Sequence, residues 1–105
     1  MYLSDEMKEQ LTKKIGSVIN PQRLIIFGSY ANGTADEDSD LDILVVEKEI
    51  KSKMEEKRKI RKALKDINIS KDIIVISEEE FDFYKNDFGS VIMDAYEKGI
   101  ELWNI

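Results

Sequence analysis

The chain has 105 residues, no Cys and no His, and 16 basic against 22 acidic side chains for a formal net charge of -6. That size holds one domain, expected over residues 1–105, with one core, so a substrate is met in an open cleft or completed by another subunit. The missing residue types exclude disulfides, thiolate nucleophiles, the usual zinc sites and imidazole acid–base chemistry, and the acidic balance argues against direct nucleic-acid binding.

The opening residues carry Asp5, Glu6 and Glu9 and no continuous apolar run. Neither a signal peptide nor a membrane span is therefore expected, and the cytoplasm is the expected location. Ser4 is placed to cap a helix in which Met7, Leu11, Ile15, Val18 and Ile19 recur at helical spacing, until Asn20-Pro21 ends it. Arg23 to Phe27 is rich in β-branched and aromatic residues and predicts a strand stopping at Gly28-Ser29. Tyr30 to Ser39 is small or polar, with Gly33 and the acidic run Asp36, Glu37, Asp38, which predicts a helical turn and then an exposed loop.

Asp40 to Val46 predicts a buried strand, apolar except at its two aspartates. Glu49 to Ile67 predicts a helix whose apolar side is Ile50, Met54, Ile60, Leu64 and Ile67. Lys71 to Ile76 predicts a third strand, and Ser77 with Glu80 forms a capping box for a helix through Phe81 and Tyr84. A further helix from Ser90 to Lys98 closes at Gly99, and Ile100 to Trp103 predicts a short last strand. Strands alternating with helices imply an α/β (α+β) fold, a small mixed β-sheet flanked by helices.

Residues two apart in a strand point to one face, so Asp40 and Asp42 would stand side by side, about 6.5 to 7 Å apart along the chain. If the Lys71–Ile76 strand pairs next to theirs, Asp72 adds a third carboxylate across about 4.8 Å. Three such anions raise one another's pKa or recruit a cation, and all-oxygen ligands select Mg²⁺ or Mn²⁺, commonly as two ions that also grip phosphate. Gly28-Ser29, where a strand runs into a helical turn, offers free backbone N–H groups to such a phosphate.

Phe27-Gly28-Ser29, ten intervening residues and Asp40-Leu41-Asp42-Ile43 resemble the signature of the DNA polymerase β-like nucleotidyltransferase superfamily, and Ile26 to Val45 looks especially like its minimal nucleotidyltransferases. The likeness continues at Lys71-Asp72-Ile73-Ile74-Val75 and at Glu97-Lys98-Gly99-Ile100; Asn32 departs from it, standing before Gly33 where many relatives carry Arg. The resemblance implies a palm fold and Mg²⁺-dependent transfer of a nucleoside monophosphate, AMP from ATP, to a hydroxyl. It assigns Asp40, Asp42 and Asp72 as catalytic metal ligands and Gly28, Ser29 and Ser39 as nucleotide-binding residues. It also implies a partner, a HEPN-domain toxin that the chain counters as an antitoxin by adenylylating a tyrosine, within a homo- or hetero-oligomer. Two other readings stand beside this one: a catalytically silent antitoxin acting by binding alone, and a transferase for a small molecule.

Plainer roles account for the remaining features. Lys57, Arg58, Lys59, Arg61, Lys62 and Lys65 read as a solvated helix face, with an RNA or partner surface as the alternative, and Phe81, Tyr84 and Phe88 read as core, with a partner interface as the alternative. Lys71 reads as a strand flank.

Overall fold

In the computed structural model, which describes residues 1–104, five helices pack on a four-stranded sheet in the order β3-β2-β1-β4. The strands are β1 (Arg23–Phe27), β2 (Leu41–Glu47), β3 (Lys71–Ser77) and β4 (Ile100–Asn104). β1 lies antiparallel to both β2 and β4, whereas β2 and β3 run parallel. A parallel pair needs a long crossover, supplied here by α3 (Lys53–Ala63).

The helices end where their capping chemistry lies. α1 (Asp5–Gly16) starts on Ser4, whose hydroxyl accepts from the Met7 amide at 3.1 Å. α3 starts four residues later than the apolar spacing predicts, because the Ser52 hydroxyl accepts from the Glu55 amide at 3.2 Å and sets the first turn there. Met54 then falls on the outer side of that turn and is 71% exposed, against expectation, while Ile60, Leu64 and Ile67 are buried as expected. α4 (Glu78–Tyr84) opens on the predicted capping box, with Ser77 and Glu80 each bonding the other's amide at 3.1 Å. α5 (Val91–Lys98) is capped by Ser90, which accepts from the Met93 amide.

The sheet is covered on both faces, as alternation along its strands requires. Leu24, Ile26, Leu41, Ile43, Val45, Ile73 and Val75 face one way and pack under Leu11 and Ile15 of α1 and Ile60 and Leu64 of α3. Ile25, Phe27, Leu44, Val46 and Ile76 face the other way and meet Phe81 of α4 and Ile92 and Ala95 of α5. Full burial of each such aliphatic side chain favours the fold by about 1.5–3 kcal/mol before entropy is counted.

Two aromatic positions expected in the core also lie outside. Tyr84 is half-exposed and Phe88 is 90% exposed, because α4 ends at Tyr84 and the chain turns through Gly89 at φ 82°. The helical spacing that would align Phe88 with Phe81 therefore stops before reaching it. Val18 is exposed for the same reason, α1 having ended at Gly16.

Candidate active site

The strand register brings the distant acids together. Asp42 faces Phe27 of β1 on one side and is the direct parallel partner of Asp72 on the other. Asp42 and Asp72 share the sheet face that carries α4 and α5, since their even-numbered neighbours Leu44, Val46 and Ile76 belong to that cluster. Asp40 stands one residue ahead of β2 rather than inside it, exposed at the strand's mouth, where the ladder with β3 has not yet begun.

Electrostatics mark Asp42 as the centre of the group. Its carboxyl is pushed above the ordinary aspartate value by partial burial first, then by the negative charges of Asp72 and Asp40. Among the described residues no three carboxylates converge into a closed ligand cage. Asp40 and Asp72 are both exposed, however, and the charge of each acts on Asp42. Hard oxygen donors whose mutual repulsion a cation would relieve fit Mg²⁺ or Mn²⁺.

Gly28 forms the floor beside Asp42. It sits at φ 70° and ψ -150°, and a Cβ there would collide with Asp42 Oδ2, so both backbone conformation and space demand glycine. The short helix α2 (Ser29–Asn32) follows, and the amides of Ala31 and Asn32 donate to the Gly28 carbonyl. The amides before them, those of Ser29 and Tyr30, have no earlier carbonyl within the helix to bind.

Residues with no signature in the motif hold this loop. Tyr30 is buried in the core on the α1 side, which anchors α2. Gly33 closes α2 at φ 84°, with the Tyr2 ring so close that a Cβ would lie 2.6 Å from it. An aromatic residue at the start of a polar turn is the signal for Tyr30; nothing in the sequence points to Tyr2. Ser39 Oγ accepts from the Asp36 amide at 2.9 Å and bonds Asp36 Oδ1 at 3.2 Å, tightening the turn that delivers Asp40.

Lys71 does more than flank its strand. Its ammonium donates to the carbonyls of Ile67 and Ile69 at 2.7 and 2.8 Å, closing the connection that leads into Asp72. Burial, then the neighbouring Arg61, lowers its pKa. Beyond the site, Glu47 at the end of β2 is buried, its Oε2 without a hydrogen-bond partner among the described residues, and its carboxyl is raised to about 7 by burial and by Glu56, against the lowering charge of Lys59.

Comparison with known proteins identifies the family. The family model described as a nucleotidyltransferase domain matches residues 4–102. A Methanocaldococcus jannaschii protein provisionally named a protein adenylyltransferase is 36% identical over 100 residues, covering 92% of this chain and 96% of its own. A Sulfolobus solfataricus structure provisionally named a nucleotidyltransferase superposes with a TM-score of 0.59 at 27% identity, over 93% of this chain and 77% of that one. The fold is also shared, at a TM-score of 0.52 and 19% identity over 93% of this chain and 70% of the other, with a structure of tri-AMPylated Shewanella oneidensis HEPN toxin in complex with MNT antitoxin. With the glycine turn and the Asp42–Asp72 pairing lying inside the matched span, the chain belongs to the nucleotidyltransferase domain family and is a nucleotidyltransferase.

Proposed function

We propose that the chain transfers AMP from ATP to a tyrosine hydroxyl of a HEPN-domain protein and thereby acts as its antitoxin. The observation that carries the chemistry is the register that sets Asp72 beside Asp42 next to Gly28. Asp40, Asp42 and Asp72 would hold the divalent ions, which when bound neutralise phosphate charge and lower the pKa of the attacking hydroxyl. The free amides at Ser29 and Tyr30 and the Ser29 hydroxyl orient the β and γ phosphates. Ser39 supports that arrangement by bracing the turn before Asp40.

In the reaction the tyrosine oxygen bonds to the α-phosphorus as the bond to the β-phosphate bridging oxygen breaks, and pyrophosphate leaves. The hydroxyl proton passes to a carboxylate, for which exposed Asp72 is the accessible base. The choice of acceptor is supported by the name of the Methanocaldococcus relative and by the AMPylated toxin of the Shewanella complex.

The test is direct. The purified chain is incubated with Mg²⁺, ATP and the HEPN-domain protein encoded in the same genome, and the products are mapped by mass spectrometry. AMP on a tyrosine of the HEPN protein, absent with Asp40→Asn and Asp42→Asn, supports the reading. No transfer under Mg²⁺ or Mn²⁺ ends it. Toxin neutralisation that survives in the double variant would favour action by binding alone.

A further inference from the structure

The corner between α4 and α5 is unlike the rest of the surface. Phe83 is 72% and Phe88 90% exposed, and Tyr84, Val91 and Tyr96 are exposed beside them. Phe81, Ile92 and Ala95 anchor the two helices and Tyr96 packs edge to face on Phe81 at 5.6 Å between centroids, whereas Phe83 and Phe88 belong to neither core cluster. The Phe83 and Tyr84 rings pack edge to face, 4.9 Å between centroids, so the outward aromatics already hold one another in place. An apolar patch kept in water without a structural role marks an interaction surface.

The rim of this patch is acidic. Lys85 pairs with Asp82 at 3.2 Å and Lys98 with Asp94 at 3.5 Å, which consumes the two cations of residues 78–98. Glu78, Glu79, Asp87 and Glu97 are exposed and, among the described residues, make no ion pair. Such a rim repels a phosphate backbone and an anionic lipid surface. A second copy related by a twofold axis would set these acids against themselves. A cationic protein surface with an apolar centre meets both the charge and the aromatics.

Location favours the same occupant. α4 and α5 cover the sheet face to which Asp42 and Asp72 belong, so a protein seated on them lies on the same side of the sheet as those carboxylates. The opposite face offers α3, where exposed Met54 stands among Lys57, Arg58, Arg61 and Lys62 without an aromatic neighbour in that group. We propose that the α4–α5 corner is the docking surface for the acceptor protein, and that this protein presents a basic, apolar-centred face to Phe83 and Phe88. The assignment rests on the function proposed above, whose HEPN-domain partner is the occupant to be tested.

The experiment is a calorimetric titration of the full chain with that HEPN-domain protein in the absence of nucleotide, with Mg–ATP binding measured separately. Phe83→Ser/Phe88→Ser and Asp87→Lys/Glu97→Lys are each expected to weaken the complex about tenfold or more. Both should keep the parent melting temperature and Mg–ATP affinity, because these side chains lie outside the core and the carboxylate group. Lys57→Glu/Arg61→Glu is expected to leave Kd unchanged. The proposal is overturned if the aromatic pair leaves Kd unmoved, if the α3 variant is the one that weakens it, or if the parent does not bind. It is also overturned if the parent forms a dimer that the aromatic substitutions dissolve. Failure of the parent to bind Mg–ATP counts against the active-site reading alone, and an Asp42→Asn chain that still binds the partner separates docking from transfer.

Discussion

The backbone of Gly28 lies against the carboxylate of Asp42 with no room for a methyl group between them. The tightest requirement for glycine in the nucleotide turn is thus imposed by the acid beside it. Gly28→Ala should destabilise the fold by about 1–3 kcal/mol for its glycine-only backbone conformation alone and displace the Asp42 side chain as well. Chemical denaturation should register the first effect, and a loss of Mg–ATP affinity the second. Unchanged affinity would show that Asp42 can move aside without consequence.

Ionised Asp42 is held at a cost to the fold, since burial and two like charges raise its pKa. A raised carboxyl contributes stability below its unfolded pKa and loses it as pH rises through the folded value, so at neutral pH the ionised group is a burden. Asp42→Asn should therefore raise the melting temperature in EDTA while abolishing transfer, and added Mg²⁺ should stabilise the parent more than the variant. Differential scanning fluorimetry with and without the ion checks both outcomes.

Glu47 predicts a pH dependence of its own. With a carboxyl raised to about 7 against an ordinary value of 4.5, its stabilising share is complete below pH 4.5 and is lost as pH rises through about 7. Glu47→Gln should flatten the stability profile between pH 5 and 8 and leave the variant the more stable of the two at pH 8. A parallel fall for both proteins would assign the slope to other groups.

Lys71 acts on the site through the backbone. Lys71→Met keeps the aliphatic stem but leaves the Ile67 and Ile69 carbonyls without their ammonium donor. A loss of about 1–3 kcal/mol in stability is expected, with faster amide exchange at Ser70 to Asp72. Restoration by Lys71→Arg would identify the cationic donor as the cause.

The elements were legible because their signals are local. Ser4 and Ser77 with Glu80 cap the helices that the sequence predicts from them, and Ser90 caps the helix expected to begin at it. The pairing of Asp42 with Asp72 was legible only as a condition, since strand order is a long-range property that no local pattern encodes. Periodicity misled where it ran past a helix end, at Val18 and Phe88, and where Ser52 moved a helix start. Tyr2 behind Gly33 and the burial of Glu47 arise from contacts across the fold and leave no trace in spacing.

The parallel ladder between β2 and β3 has a further consequence. A slip of a single residue along it would turn Asp72 to the α1–α3 side and expose Ile73 in its place. Evolution can therefore vary the length of the α3 crossover but not the phase of the strand that follows it. Insertions tolerated in that connection should leave both the acids and the hydrophobic layer untouched, whereas one extra residue within β3 should remove both together.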